Sequence, residues 1–205
     1  METGNELTAT MELRNAQSSE ELISYRTLFA AMLCFYAGIM LWVGAVAFFG
    51  IGVAPVIFKV LPSKDLAGTL NGVILHRLNM LELIGATLSG IGFALLFAFK
   101  HTKYYKVALT LLLSMMLIWV IYALGLTSIM NDLRRNINSF DAPNASSKEL
   151  VERFRGCHHW YSRLVSANII VGLVLVVWQT RFFFHLHEVR LHEVRVNSLK
   201  AQHGS

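Results

Sequence analysis

The sequence predicts an all-α integral membrane protein: a four-helix bundle with a kinked first helix and an interfacial amphipathic helix. Three observations carry that prediction. Hydrophobic residues make up 55% of the 205 residues and charged ones only 15%, with a mean hydropathy of +0.50. Soluble domains carry about 25% charged residues. The run from Leu28 to Phe58 holds no charge at all. Three further apolar stretches follow, at about Met80–Phe99, Val107–Met130 and Leu164–Phe184. Each is near the roughly 20 residues that a helix needs to cross a hydrocarbon core of about 30 Å.

Taken in order, residues 1–24 form a polar N-terminal tail. It is acidic (Glu2, Glu6, Glu12, Glu20 and Glu21) and lacks the basic start of a secretory signal. Ser18 and Glu21 have capping-box spacing and predict a helix start ahead of the first span. That span satisfies the crossing length within Leu28–Phe49. Continued to Phe58 it would be about 46 Å long, well over the bilayer core. Pro55 removes a backbone donor and crowds the carbonyl of Ile51, while Gly50 and Gly52 lower the cost of distortion. A kink or break at Gly50, Gly52 and Pro55 is therefore expected, with Val56–Leu61 turning along the membrane surface.

The first connection opens with turn residues Pro62–Asp65. From Leu66, apolar residues recur at helical spacing, so Leu66–Asn79 reads as an amphipathic helix leading into the second span. The connection Lys100–Lys106 is short and makes spans two and three antiparallel neighbours. The third connection contains Asp141-Ala-Pro143-Asn144, which is turn chemistry. Ser146 with Glu149 has capping-box spacing and predicts the start of the helix that becomes span four. The membrane domain covers residues 25–184, and residues 185–205 form a polar C-terminal tail.

Four crossings put both termini on one face, side A; the opposite face is side B. The 18 Lys and Arg residues divide evenly between the two faces, so the positive-inside rule gives no majority. The dense basic cluster Lys100, Lys103 and Lys106 tips side A toward the cytoplasm. The net charge of +5 resides at span ends, where it meets lipid headgroups. Nucleic acid is excluded as a partner, because no basic stripe lies on a soluble element. Lipid offers no hydrophobic drive between spans, so small residues that let backbones approach should form the contacts. Gly85, Ser89 and Gly92 make such a stripe on span two; Ala37, Gly38, Gly44 and Ala45 do so on span one. These small-residue faces and the C-terminal tail are also the candidate surfaces for membrane-protein partners. Cys34 and Cys157 fall at different depths and should be free thiols.

The segment Gly44-Ala-Val-Ala-Phe48-Phe-Gly50-Ile-Gly52-Val-Ala-Pro55-Val-Ile-Phe58-Lys-Val-Leu61-Pro62, with Leu66-Ala67-Gly68, Leu75-His-Arg77-Leu78 and His159-Trp-Tyr-Ser162, resembles the transmembrane-protein-205-like domain family over roughly Leu28–Phe183. The resemblance implies a small four-span bundle of uncharacterised activity. It implies no catalytic residues.

Polar groups collect near side B. Glu82 lies about one turn inside the second span, with Asn79 and His76 at three-residue steps before it. His158, His159, Arg163 and Asn168 open the fourth span. An ionisable group within a span is costly and commonly marks a pathway or faces the bundle interior. Four readings compete for this set. It can be an interfacial belt of hydrogen bonds and ion pairs, joining Glu82 or Asp132 to Arg163 or Arg77. It can be an ion or small-molecule path through Glu82, Asn79 and Asn168. Imidazoles of His76 with His158 or His159 can hold haem iron. His158, His159 and Glu82 have the chemistry for a transition metal. The direct repeat Leu186-His-Glu-Val-Arg190, Leu191-His-Glu-Val-Arg195 is not a zinc-protease motif. Its histidines are five residues apart and diverge by about 140° on a helix. With no catalytic constellation in the chain, a non-enzymatic subunit or scaffold of a membrane complex leads. A small-molecule or ion transporter and a haem- or quinone-binding redox anchor are the alternatives.

Overall fold

Four long helices, each apolar enough to cross a membrane, form the bundle. The computed structural model describes residues 26–97 and 102–203. The N-terminal tail, its capping pattern at Ser18, and the start of the Lys100–Lys106 connection lie outside the described residues. No strand occurs among the described residues.

Helix α1 runs Arg26–Val60. Its backbone stays helical past Pro55, so there is no break, and Val56–Val60 continues the helix instead of leaving it. The strain is absorbed one turn earlier. Phe49–Val53 is a π-helical turn in which the Ala54 N–H donates to the Phe49 carbonyl. Pro55 then stands in the first turn of the α-helical stretch Ala54–Val60, where its missing N–H costs little. A second π turn covers Met40–Gly44.

Helix α2, Lys64–Phe97, is 34 residues of unbroken α-helix, about 51 Å long. The expected amphipathic segment Leu66–Asn79 is its first part, with no interruption before the second span. Leu66, Leu70 and Val73 are exposed, while Ala67 and Leu78 are buried against α1 with Phe49 and Ile57. Helix α3 covers residues 102–136: α-helix over Thr102–Val120, a π turn over Ile121–Leu126, and α-helix again over Thr127–Asn136. Helix α4, Ala145–His203, is one helix of 59 residues, about 88 Å long. Its apolar part ends at Phe184, and the tail continues the same helix.

Helices α1 and α2 meet backbone to backbone. A Cβ built on Gly85 would lie 2.7 Å from the Gly38 carbonyl oxygen, and one on Gly92 would lie 2.7 Å from that of Ala31 and closer still to the Phe35 amide. A Cβ on Gly38 would collide with Ser89. The small-residue stripe of span two is thus closed within the chain. Gly44 has nothing within 4 Å of its Cβ position and takes no part. Ala31, Phe35, Met115 and Leu175 are fully buried between the helices, while Phe29, Leu33, Leu117, Leu173 and Val177 face outward. An exposed apolar surface on every helix is what a lipid-solvated bundle requires. Cys34 and Cys157 are free.

Side B is tied together by a reciprocal cap. The Asp141 carboxylate accepts from the Lys64 N–H at 2.9 Å and the Asp65 N–H at 3.3 Å, capping α2. The Asp65 carboxylate in turn accepts from the Ser139 hydroxyl at 2.6 Å and the Phe140 N–H at 2.7 Å. Arg134 donates to the Gly68 carbonyl at 2.5 Å and to the Thr69 hydroxyl at 2.8 Å. Helix α4 is capped by Asn144, whose side-chain oxygen accepts from the Ser147 N–H at 2.9 Å. Ser146 is not the cap: the helix begins at Ala145, one residue ahead of it. Glu149 pairs instead with Arg153 at 2.8 Å. Asp141→Ala removes two capping bonds at once. Losing a cap costs about 1 kcal/mol, so thermal unfolding in detergent should shift down by about 2–4 °C, with Asp141→Asn in between.

Candidate functional site in the side-B half of the bundle

Glu82 is the one acidic residue in the four apolar segments, and it is 1% exposed. It lies two residues, about 3 Å along the α2 axis, from the start of the apolar stretch at Met80, so it sits in the side-B half of that stretch. Among the described residues no guanidinium pairs with it. The Tyr122 hydroxyl of α3 donates to its Oε1. The Asn168 amide of α4 donates to that same hydroxyl at 3.3 Å. The indole N–H groups of Trp42 on α1 and Trp119 on α3 lie beside the Glu82 carboxyl. Neither indole completes a hydrogen bond, and the Asn168 side-chain oxygen is also buried without a partner. Tyr161 of α4 packs edge-on against the Tyr122 ring, with centroids 5.4 Å apart. Each of the four helices contributes to this centre.

Two of the contributors sit in π turns. Trp42 lies within Met40–Gly44 and Tyr122 within Ile121–Leu126. A π turn shifts the side-chain register relative to a regular helix, and such turns recur at functional sites. The Thr127 hydroxyl donates to the Tyr122 carbonyl at 2.9 Å, an i to i+5 bond that satisfies the widened turn.

Of the residues singled out from sequence, Glu82 and Asn168 are brought together through Tyr122. Asn79 is half-buried, and its side-chain oxygen is enclosed without a partner. His76 is exposed. His158 lies parallel to the Phe154 ring at 6.5 Å, and His159 Nδ1 is bonded to the Arg155 carbonyl at 2.8 Å. Among the described residues no three His, Cys, Asp or Glu side chains form a metal-holding group, so His158, His159 and Glu82 are not assembled into one. Arg163 stacks over Trp160 at 5.2 Å, and Asp132 leans toward Arg135 at 4.0 Å. The expected ion pairs to Glu82 and between Asp132 and Arg163 or Arg77 are therefore replaced by neutral hydrogen bonds and local contacts. The surface pairs on α4 lie among solvated charges and contribute little. Trp42, Trp119 and Tyr122 are not among the residues the sequence singles out. A usable signal existed: Trp and Tyr gather at membrane interfaces, and Trp42, Trp119 and Tyr122 stand deep within spans.

Residues 37–139, just over half of the chain, match the sequence model described as Domain of unknown function (DUF4149). The chain belongs to this family. The matched region supplies Trp42, Glu82, Trp119 and Tyr122, whereas Tyr161 and Asn168 lie beyond it on α4. DUF4149 is an uncharacterised family, so membership assigns no reaction. No curated protein and no solved structure matches the chain.

Proposed function

We propose that this DUF4149 protein is a carrier that moves a proton or a small cation across the membrane, with Glu82 as the group that binds it. One observation carries the reading: a carboxyl buried inside the membrane bundle, ringed by hydrogen-bonding groups from four helices, three of which have unfilled capacity. An acidic residue at the centre of a spanning helix costs about 2.5–3.5 kcal/mol on insertion scales. A purely structural link at this point needs no ionisable group, because Gln forms the same hydrogen bond to Tyr122. The site offers what a cation or proton needs: a carboxyl to hold it, and aromatic faces and amide groups to replace water. Asn79 and Asn168 belong to this path. The test is flux in proteoliposomes loaded with a pH-sensitive dye or with Na⁺ or K⁺ indicators. Flux above that of protein-free vesicles is expected. Rates equal to those of empty vesicles for protons and for both cations would overturn the reading.

A second reading rests on a different observation. Helix α4 continues about 29 Å beyond Phe184 on side A. A helix projecting that far from the bilayer suits a scaffold or complex subunit, with residues 185–203 as the docking element. Affinity capture with full-length protein and with a chain ending at residue 184 tests it. Identical partner sets would remove the tail from that role.

A further inference from the structure

The polar centre is not placed symmetrically between the two faces. Toward side A, α2 is sealed against α1 by backbone contact at Gly85 and Gly92 and by the buried Ser89, whose hydroxyl is turned back onto the Gly85 carbonyl at 2.8 Å. Phe35, Met115 and Leu175, each at 0% exposure, close the same layer. Toward side B, α2 carries two side-chain oxygens that are buried without partners, on Asn79 and Asn71. With Glu82 they fall within an arc of about 80° at 100° per residue, on the interior face of the helix. Asn79 lies about 4.5 Å and Asn71 about 16.5 Å from Glu82 along the axis, both in the direction of the Arg134 cap. Leu75, half-buried, stands between them on that face. A buried acceptor is costly unless something donates to it, and water is the donor small enough to reach these two.

We infer that this conformation is the side-B-open state of the carrier: Glu82 exchanges protons or cations with the side-B aqueous phase through a hydrated track along Asn79 and Asn71 that Leu75 constricts, and the Gly38–Gly85–Gly92 contact holds it closed to side A until the helices rearrange. The inference rests on the reading of Glu82 as a binding group. It adds the direction of access, which that reading leaves open.

The wild-type chain in sealed vesicles carries its own markers of sidedness. Glu149 and Glu152 are exposed on side B, and Glu188 is exposed on side A. A membrane-impermeant quaternary-ammonium carbodiimide with a hydrophilic amine is applied to one face at a time. Labelled carboxyls are then located by peptide mass spectrometry. Glu82 should be labelled several-fold faster in the preparation that labels Glu149 and Glu152 than in the one where only Glu188 is labelled. Asn79→Cys, treated with a small impermeant thiosulfonate, should show the same sidedness, and Leu75→Ala should raise Glu82 labelling from side B. Equal or faster Glu82 labelling from the Glu188 side, or none from either face, overturns the inference. Flux in proteoliposomes is scored separately. Faster side-B labelling without flux removes the carrier and keeps the track; flux with equal or faster side-A labelling keeps the carrier and removes the track.

Discussion

Glu82→Gln is expected to reduce proteoliposome flux to the level of empty vesicles while leaving the fold intact. Gln has the size of Glu and presents a carbonyl oxygen where the Tyr122 hydroxyl donates. It can neither take up a proton nor neutralise a cation. The packing and the hydrogen bond therefore persist, and only the charge-carrying step is lost. Hydrogen bonds within membrane bundles are worth about 0.6 kcal/mol on average. Even a weakened Tyr122 bond should thus move the unfolding midpoint by no more than about 2–4 °C. Unchanged flux with an unchanged midpoint would make Glu82 a packing residue. A collapsed midpoint would make it a structural clamp, and the carrier reading would lose its main support.

Gly92→Val is expected to have the largest effect on the fold. The new Cβ would lie 2.7 Å from the Ala31 carbonyl oxygen and nearer still to the Phe35 amide, both backbone atoms of a helix that cannot step aside. Overpacking a close contact costs about 1–3 kcal/mol where side chains can adjust. Here the obstacle is main chain, so the cost should reach or pass the top of that range. Loss of monodisperse protein, or a midpoint lowered by roughly 10 °C, is the expected outcome. Gly90→Val is the matched control, since nothing lies within 4 Å of that Cβ position. Equal behaviour of the two variants would mean that α1 and α2 do not meet as described.

The four spans were legible because lipid solvation writes itself into composition: long uncharged runs have no other stable use. Glu82 was legible as a carboxyl in apolar surroundings, and Asn168 as a polar residue within a span. The direction of their partnership was not. An ion pair with Arg163 or Arg77 is natural from charge alone, but both arginines are exposed, and Arg163 lies over the Trp160 ring instead. The Trp and Tyr ring around Glu82 depends on the π turns at Met40–Gly44 and Ile121–Leu126. Hydrophobic periodicity cannot show these turns, because one residue of register shift is invisible in an all-apolar stretch. At Pro55 the sequence points to a kink or break, with Val56–Leu61 leaving the helix axis, whereas the helix continues through Val60. The accommodation is a π turn over Gly50 and Gly52, not a break, because the neighbouring glycines tolerate the wider turn. Ser146 is not the cap for a simpler reason: Asn144 directly precedes Ala145, the first helical residue, and that is the position a cap occupies.

A double-mutant cycle between Glu82 and Tyr122 probes the centre most directly, with Glu82→Leu, Tyr122→Phe and the pair unfolded reversibly from mixed micelles. If the two side chains meet inside the bundle, the single changes will not add, and a coupling of about 0.5–2 kcal/mol will remain. If the two changes add within about 0.3 kcal/mol, the side chains do not touch, and the polar centre described here does not exist.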